Sequence, residues 1–311
     1  MTEIETRCAV IAVIGAPNAG KSTLVNALVG AKVSIVTQKV QTTRARVRGI
    51  AMEDAAQLIF IDTPGIFSPR RKLDRAMVAA AWEGLEGADV TLLIVDAPAY
   101  LAGESERGAA GKSRADADRI IDGLRTANRK AVLALNKIDD IARPKLLALA
   151  QALNDAGVFT DTFMISAKNG DGLNDLKAFL AETAPPGPWL YPEDQLSDIS
   201  DRLMAAEVTR EKLFLRLHQE LPYDLTVETD DYKEAKSGIR IEQTIYVARD
   251  GQKGIVLGKG GETLKSIGKA AREELSELLD RPVHLFLHVK VREGWAEEAA
   301  RLRNIGLDSV D

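Results

Sequence analysis

The stretch VIAVIGAPNAGKSTLVNALVG, residues 10–30, joins a short apolar run to a helical pattern through a glycine-containing turn. Its centre matches the pattern GxxxxGK[ST], and a strand before that pattern with a helix after it is the setting of a P-loop. In such a loop, backbone N–H groups face phosphate oxygens, the lysine adds a compact positive charge, and the serine hydroxyl can bind Mg²⁺. The sequence therefore predicts a phosphate-binding loop, in which Lys21 also has a catalytic role. The loop residues predicted to bind nucleotide are Gly15, Ala16, Pro17, Asn18, Ala19, Gly20, Lys21, Ser22 and Thr23.

Three further motifs follow apolar runs, and together they predict a guanine nucleotide site. In DTPG at 62–65, the aspartate can hold Mg²⁺ and the glycine N–H can meet the γ-phosphate. In NKID at 136–139, the aspartate can accept two N–H donors from guanine, a pair that adenine cannot supply. Lys137 is expected to lie over the base, Asn136 to tie this segment to the P-loop, and SAK at 166–168 to offer a backbone N–H to the guanine carbonyl. The predicted residues are Asp62, Thr63, Pro64, Gly65, Ile66, Asn136, Lys137, Asp139, Ser166, Ala167 and Lys168.

A polar segment, QTTR at 41–44, lies between the P-loop and DTPG. A threonine here can complete the Mg²⁺ shell only while the γ-phosphate is present, which would make the segment a switch. Either Thr42 or Thr43 fits this role, and the sequence leaves the choice open. The predicted Mg²⁺ ligands are therefore Ser22, Asp62 and one of the two threonines; both threonines and Gly65 are also catalytic candidates.

The residue after DTPG is Ile66, at the place where Ras-like enzymes have a glutamine that positions water. An apolar side chain cannot orient water, so we expect slow intrinsic hydrolysis that a cation, a partner or another residue must complete. Asn18 is a candidate for holding K⁺ beside the phosphates. The alternative, that its side chain bonds within its own turn, stays open.

Composition narrows the function classes. The chain has 311 residues, 45% hydrophobic and 28% charged, which is typical of a soluble globular protein. A net charge of -5 excludes a global basic field, so any RNA site must be a local patch. The apolar runs are too short to span a bilayer, there is no signal-peptide pattern, and the single cysteine, Cys8, excludes an internal disulfide. We expect a monomeric cytoplasmic protein, with peripheral membrane contact left open.

The order of patterns predicts two domains. Apolar runs alternate with helical stretches up to about residue 184, which predicts an α/β domain, 1–184, with a mostly parallel sheet. The stretch PPGPWLYP begins a predicted linker, 185–197, and the pattern from 198 to 311 reads α-β-β-α-α-β, a smaller α+β domain. Residues 97–115, rich in alanine, glycine and mixed charges, are expected to form a mobile loop.

The second domain contains the turn GKGG at 258–261 between two helical segments. KH domains use such a GxxG turn to bring backbone amides and a lysine to the sugar-phosphate backbone of single-stranded nucleic acid. Residues 251–272 carry five positive charges and one acidic residue, which makes a local basic patch. A plain helix–helix turn is the alternative, but the element order favours a type II KH domain. The predicted RNA contacts are Lys253, Gly258, Lys259, Gly260, Gly261 and Lys265.

The form GxPNxGKS, DTPG with a hydrophobic successor, NKxD and a carboxy-terminal KH domain together resemble the Era family of bacterial GTPases. The similarity extends to QTTR at 41–44, LMAAE at 203–207, REKL at 210–213, ELPY at 220–223 and PVHL at 282–285. The resemblance implies Mg²⁺-dependent hydrolysis of GTP to GDP, binding of the 3′ end of 16S rRNA, and a role in assembly of the 30S ribosomal subunit. It also implies peripheral association with the cytoplasmic face of the inner membrane.

Two other function classes also contain a P-loop. One is a signalling GTPase, linked to the membrane or the cell cycle, whose second domain docks a protein. The other is a metabolic P-loop kinase, which NKID disfavours because this motif has no part in ATP recognition.

Overall fold

A computed structural model describes residues 5–37, 39, 42–105, 108–218 and 221–307. The chain divides into two compact units. In their described parts, the first unit holds residues 5–34 and 43–198, and the second holds 35–42 and 199–307. The domain limits drawn from the sequence stay predictions.

The first unit is a six-stranded sheet with helices on both faces. The strands are β1 (Arg7–Gly15), β2 (Val47–Glu53), β3 (Ala56–Asp62), β4 (Val90–Asp96), β5 (Ala131–Asn136) and β6 (Phe159–Ile165). The helices are α1 (Lys21–Val29), α2 (Lys72–Glu83), α3 (Ala97–Ala102), α4 (Ala109–Thr126), α5 (Arg143–Asn154) and α6 (Leu173–Thr183). The strand order is β2-β3-β1-β4-β5-β6, and only the β2–β3 pair is antiparallel. This confirms the predicted α/β domain with a mostly parallel sheet.

The central strands are apolar throughout because helices cover both of their faces. Every residue of β3 and of β5 is buried. The carboxyl ends of parallel strands meet at one edge of a sheet, which is where open α/β folds bind ligands. At this edge β1 ends at Gly15, β3 at Asp62, β4 at Asp96 and β5 at Asn136. The fold therefore gathers the motifs, although they lie far apart in the sequence.

The predicted mobile loop at 97–115 is wrong for its described residues. Most of these residues form α3 and the start of α4 instead. The Asp96 carboxylate accepts a hydrogen bond from the Ala99 N–H at 2.9 Å and so caps α3. Tyr100 is buried, and its hydroxyl donates to Asp118 Oδ1 at 2.6 Å, which joins the two helices. These tertiary contacts override a composition that is poor in large apolar residues.

The proline-rich segment after α6 is extended and bonded to the first unit. Gln57 is fully buried, its Nε2 donates to Tyr191 O at 2.8 Å, and its Oε1 accepts the N–H groups of Leu190 and Tyr191. At the other end of the segment, the Cys8 N–H donates to Pro185 O at 3.1 Å. The segment thus continues the hydrogen bonding of the sheet.

The second unit is a three-stranded sheet with helices on one face. Its elements are α7 (Asp201–Arg216), β7 (Leu225–Ala235), β8 (Gly238–Val247), α8 (Asp250–Leu257), α9 (Glu262–Leu278), β9 (Val283–Val291) and α10 (Ala299–Asn304). The sheet order is β7-β8-β9, with β7–β8 antiparallel and β8–β9 parallel. Leu213, Ile245 and Ile267 lie in its buried core. The predicted α-β-β-α-α-β layout is confirmed, and the short helix α10 follows its last strand.

The described residues between 35 and 42 belong to this second unit. The Val36 N–H donates to Glu211 Oε1 of α7 at 2.8 Å, and the buried Arg210 guanidinium donates to the Thr42 carbonyl. Residues 38, 40 and 41 lie outside the described residues.

Across the described part of the chain, no helix combines the length and the apolar character that a membrane span needs.

Candidate nucleotide-binding site

The P-loop connects β1 to α1 through backbone conformations that favour glycine. A Cβ at Gly15 would lie 2.5 Å from Ile94 O, and a Cβ at Gly20, where φ is +102°, would lie 2.2 Å from Asn136 Nδ2. Neither position has room for a side chain, because residues of β4 and β5 lie in contact with the loop. The Asn18 backbone is also left-handed, with φ 63°. The loop is therefore curled tightly at the sheet edge, as a phosphate cradle requires.

Lys21 lies inside this curl and is only 6% exposed. Its ammonium donates to the carbonyls of Gly15 at 3.0 Å and Ala16 at 2.9 Å. Burial lowers the pKa of Lys21 to about 8, and the nearby Asp62 carboxylate opposes that shift. A nucleotide phosphate would supply further negative charge to this buried cation.

Three oxygen-bearing side chains meet beside Lys21. The Ser22 hydroxyl donates to Asp62 Oδ2 at 2.7 Å, and Thr43 Oγ1 lies 2.8 Å from Ser22 Oγ and 3.3 Å from Asp62 Oδ2. Asp62 is fully buried, burial raises the pKa of its carboxyl, and its Oδ1 has no hydrogen-bond partner among the described residues. A buried carboxylate with an unused oxygen, next to two hydroxyls, fits Mg²⁺, which prefers oxygen ligands.

Thr42 belongs to the second unit. Its hydroxyl donates to Lys39 O at 2.7 Å and lies 2.7 Å from Thr37 Oγ1. The division between the two units falls between Thr42 and Thr43. Of the two candidate threonines, only Thr43 contacts Ser22 and Asp62 in this structure.

The segment after β3 lies against the P-loop. The Thr63 hydroxyl donates to Val13 O at 2.7 Å, and the Ile66 N–H donates to Gly15 O at 3.1 Å. A Cβ at Gly65 would lie 2.9 to 3.0 Å from atoms of Pro17, so Pro17 and Gly65 are in close approach. Ile66 is 1% exposed and packs into the core. Its side chain therefore serves the core and presents no group that could orient water.

Asn136 joins three loops of the predicted site. Its Nδ2 donates to Ala19 O at 2.8 Å, and its Oδ1 accepts the Ala167 N–H at 2.9 Å. The side chain is 2% exposed, so both hydrogen bonds are made away from water. The P-loop, NKID and SAK are thus brought together by one carboxamide.

Two other residues of NKID, Lys137 and Asp139, are more exposed than Asn136. The Ser166 hydroxyl holds the pKa of the exposed Asp139 carboxyl below its ordinary value. The Lys137 backbone is left-handed, with φ 65°, and its ammonium donates to Asn18 O at 3.0 Å and to Asp96 at 2.5 Å. Sequence reasoning missed Asp96, although an aspartate directly after the apolar run at 90–95 follows the same pattern as Asp62 and Asn136.

We expect Asn136→Ala to weaken both the fold and nucleotide binding. The substitution would leave the buried Ala19 carbonyl and Ala167 N–H without partners, at a cost of about 2 kcal/mol. The thermal midpoint should fall by about 5 °C, and the dissociation constant for GDP should rise by about 100-fold. Differential scanning fluorimetry and equilibrium binding would check this, with the exposed Asn154→Ala as control. Equal effects in the two variants would contradict the tethering role.

The predicted RNA-binding loop joins α8 to α9 in the second unit. Gly258, Gly260 and Gly261 all have positive φ, and a Cβ at Gly258 would lie 2.1 Å from Thr263 Oγ1. Around Gly260 and Gly261 there is open space instead. The Lys259 and Lys265 side chains are exposed and Lys253 is half-buried, so charged groups surround an accessible turn.

Comparison with known proteins assigns both units. A family model described as 50S ribosome-binding GTPase matches residues 10–137, and a KH domain model matches residues 220–296. GTPase Era of Caulobacter vibrioides (strain NA1000 / CB15N) is 60% identical over 310 residues, covering 99% of this chain and 98% of that protein. GTPase Era of Rhizobium meliloti (strain 1021) is 58% identical over 306 residues, covering 98% and 94%. The chain belongs to the GTPase Era family.

Solved Era structures agree with this assignment. The chain matches Era in complex with MgGDPNP and nucleotides 1506–1542 of 16S ribosomal RNA at a TM-score of 0.87 and 36% identity, covering 97% of this chain and 99% of that one. It also matches an Aquifex aeolicus Era variant bound to GDP.AlF4-, at a TM-score of 0.87 and 36% identity, covering 97% of this chain and 99% of that one. The first unit is therefore a GTPase domain of the Era family, and the second is a KH domain.

Proposed function

We propose that this protein is a GTP-hydrolysing switch that binds the 3′ region of 16S rRNA and assists assembly of the 30S ribosomal subunit. The observation that carries the proposal is the full-length similarity to an Era structure that holds a GTP analogue and that RNA at once. The exposed Lys259, next to glycines with open space around them, supports RNA binding by the KH loop, since backbone amides and a lysine can then approach phosphates.

The Mg²⁺ ion that GTP hydrolysis needs would be held by Ser22, Asp62 and Thr43. Their oxygens lie within 3.3 Å of one another, and the unused Asp62 Oδ1 supports a further ligand bond. A bound Mg²⁺ would neutralise charge on the transferring phosphoryl group. Thr43 would release when the γ-phosphate leaves, which gives the switch its two states.

Lys21 would hold the phosphates and the Gly65 N–H would meet the γ-phosphate, while the attacking water needs a partner to orient it. Ile66 is buried in the core and cannot do so, which supports slow intrinsic turnover. K⁺ near Asn18 is proposed as one completing cation, and bound RNA as the activator. Hydrolysis in KCl compared with NaCl tests the cation.

The central experiment measures GTP hydrolysis and RNA affinity with a short RNA that carries the 16S 3′ end. Gly258 is a poor site for a variant, because a side chain there meets Thr263. The double variant Lys259→Asp/Gly260→Asp changes the charge by three units in a turn with open space. Gly260 has φ +60°, a left-handed conformation that aspartate tolerates better than most side chains. We expect it to lose RNA affinity by about 100-fold and to lose any RNA-stimulated turnover, with basal hydrolysis retained.

The matched control changes the charge by the same three units elsewhere in the KH unit. Lys236→Asp/Ser237→Asp lies in the exposed turn between β7 and β8 and should leave RNA affinity within about twofold of the unchanged protein. RNA binding that survives the loop variant would remove the KH loop from the proposal. Absent RNA binding would instead favour the signalling GTPase whose second domain docks a protein.

Subunit choice and location complete the proposal. We propose binding to 30S rather than 50S subunits, in the cytoplasm, as a monomer, with a peripheral fraction at the inner membrane. Co-sedimentation with purified 30S and 50S subunits, cell fractionation and light scattering test these statements. Sedimentation with 50S alone would contradict the 30S role.

A further inference from the structure

Asp96 is the last residue of β4, and none of the motifs described above contains it. Its Oδ2 accepts a hydrogen bond from the Lys137 ammonium at 2.5 Å, and its Oδ1 accepts the Ala99 N–H at 2.9 Å. The side chain is 11% exposed, so this ion pair is partly shielded from water. One carboxylate thus caps the start of α3 and also binds the lysine of NKID.

Lys137 is held at a second point by the P-loop. Its ammonium also donates to Asn18 O at 3.0 Å. Asp96 and Asn136 are paired across β4 and β5, so the carboxylate lies beside the start of NKID. The lysine head is therefore fixed between the end of β4 and the P-loop, while 37% of its side chain remains exposed.

A lysine has a flexible four-carbon stem, and ordering it costs conformational entropy. Two fixed partners for the ammonium select one path for the stem before any nucleotide arrives. Binding is tighter when the side chain is already ordered, because the entropy of ordering is then not lost on binding. Without the carboxylate, a single neutral carbonyl would remain to hold the ammonium.

We propose that Asp96 is a positioning residue for guanine nucleotides, because it fixes the Lys137 stem where the base binds. The inference rests on the proposed place of Lys137 over the guanine ring. GTP and GDP share the base, and the base lies away from the reacting phosphate. Asp96 therefore acts on affinity for both nucleotides, with a much smaller effect on the hydrolysis step.

A double-mutant cycle on the full-length protein tests this. Asp96→Asn keeps an oxygen that can cap α3, since asparagine caps as well as aspartate, but it removes the charge that holds Lys137. Lys137→Met keeps the apolar stem and removes the ammonium. We expect Asp96→Asn alone to raise the dissociation constants for GDP and GTP and the KM for GTP by about tenfold, with kcat changing by less than about twofold. In the Lys137→Met background, Asp96→Asn should change these constants by less than about twofold.

Two readouts separate positioning from a general effect on the fold. Tyr100→Phe removes the hydrogen bond to Asp118 that joins α3 and α4, and it leaves the contacts of Lys137 unchanged. It should lower the melting temperature and leave GDP affinity nearly unchanged. The ratio of IDP to GDP affinity should stay constant in Asp96→Asn, because the base edge read by Asp139 is unchanged.

The outcomes distinguish the inference from the function beneath it. If Asp96→Asn weakens GDP equally in both backgrounds, or not at all while Lys137→Met weakens it, the role of Asp96 is overturned and the GTPase proposal stands. If Lys137→Met leaves GDP affinity unchanged, the result contradicts the position of Lys137 over the guanine ring, and with it the role of Asp96.

Discussion

Asp139→Asn is expected to lower the affinity for GTP by about 10⁴-fold and to confer binding of XTP. An ionised carboxylate offers only acceptors, and it can receive two N–H donors from the guanine edge. A carboxamide accepts one of these donors and turns its own N–H₂ toward the other, which leaves both unpaired in the bound state. Xanthine has a carbonyl in place of the exocyclic amino group, so the new amide can donate to it.

The surroundings of Asp139 support this expectation. The Ser166 hydroxyl keeps the pKa of the Asp139 carboxyl below its usual value, so at neutral pH the group is ionised and accepts hydrogen bonds only. Competition of GTP, XTP and ATP against a fluorescent GDP would measure the change. Asp140→Asn, the same substitution at the neighbouring exposed residue, should keep the original preference for GTP. Loss of GTP binding without a gain of XTP binding would indicate a disturbed loop rather than base reading by Asp139.

Thr43→Ala is expected to lower kcat for GTP hydrolysis by about 100-fold. Its hydroxyl lies beside Ser22 Oγ and Asp62 Oδ2, where it can join a shared cation. Without it, a water must replace a fixed ligand, and the charge on the transferring phosphoryl group is less well neutralised. GDP affinity should change little, because this ligand bond is tied to the γ-phosphate.

The adjacent threonine gives a matched control for that variant. Thr42→Ala removes an identical hydroxyl whose hydrogen bonds in this structure are to Lys39 O and Thr37. Its kcat should remain within about threefold of the unchanged protein. Single-turnover hydrolysis across a Mg²⁺ titration would compare the two. A larger loss in Thr42→Ala than in Thr43→Ala would reverse the assignment.

Much of the fold could be read from the sequence because its signals are local. The apolar runs ending at Gly15, Asp62 and Asn136 are long enough for strands buried on both faces, and each is followed by a motif that needs a strand end. Parallel pairing then brings these ends to one edge. In the second unit, VHLFLHVKV at 283–291 forms β9, in which half-buried apolar residues alternate with the exposed His284, His288 and Lys290.

What the sequence left open depends on contacts between distant residues. The choice between Thr42 and Thr43 depends on which hydroxyl reaches Asp62, and adjacent identical residues carry no pattern that decides this. Residues 97–115 fold because Asp96 caps α3 and Tyr100 is buried, and both contacts are invisible to a count of apolar residues. The role of Asp96 itself appears only when the ends of β4 and β5 are side by side.

The hydrogen bonds of the proline-rich segment bear on how this protein can be divided. A fragment that stopped after α6 would remove the three hydrogen bonds of Gln57 to Leu190 and Tyr191 and expose a buried amide at the sheet edge. It would also remove Pro185, which pairs with the start of β1, and Ser197, which bridges to Gly49. A GTPase fragment therefore has to extend at least to residue 198 to keep these bonds. The stretch that composition marks as a connector is, in physical terms, an edge of the first unit.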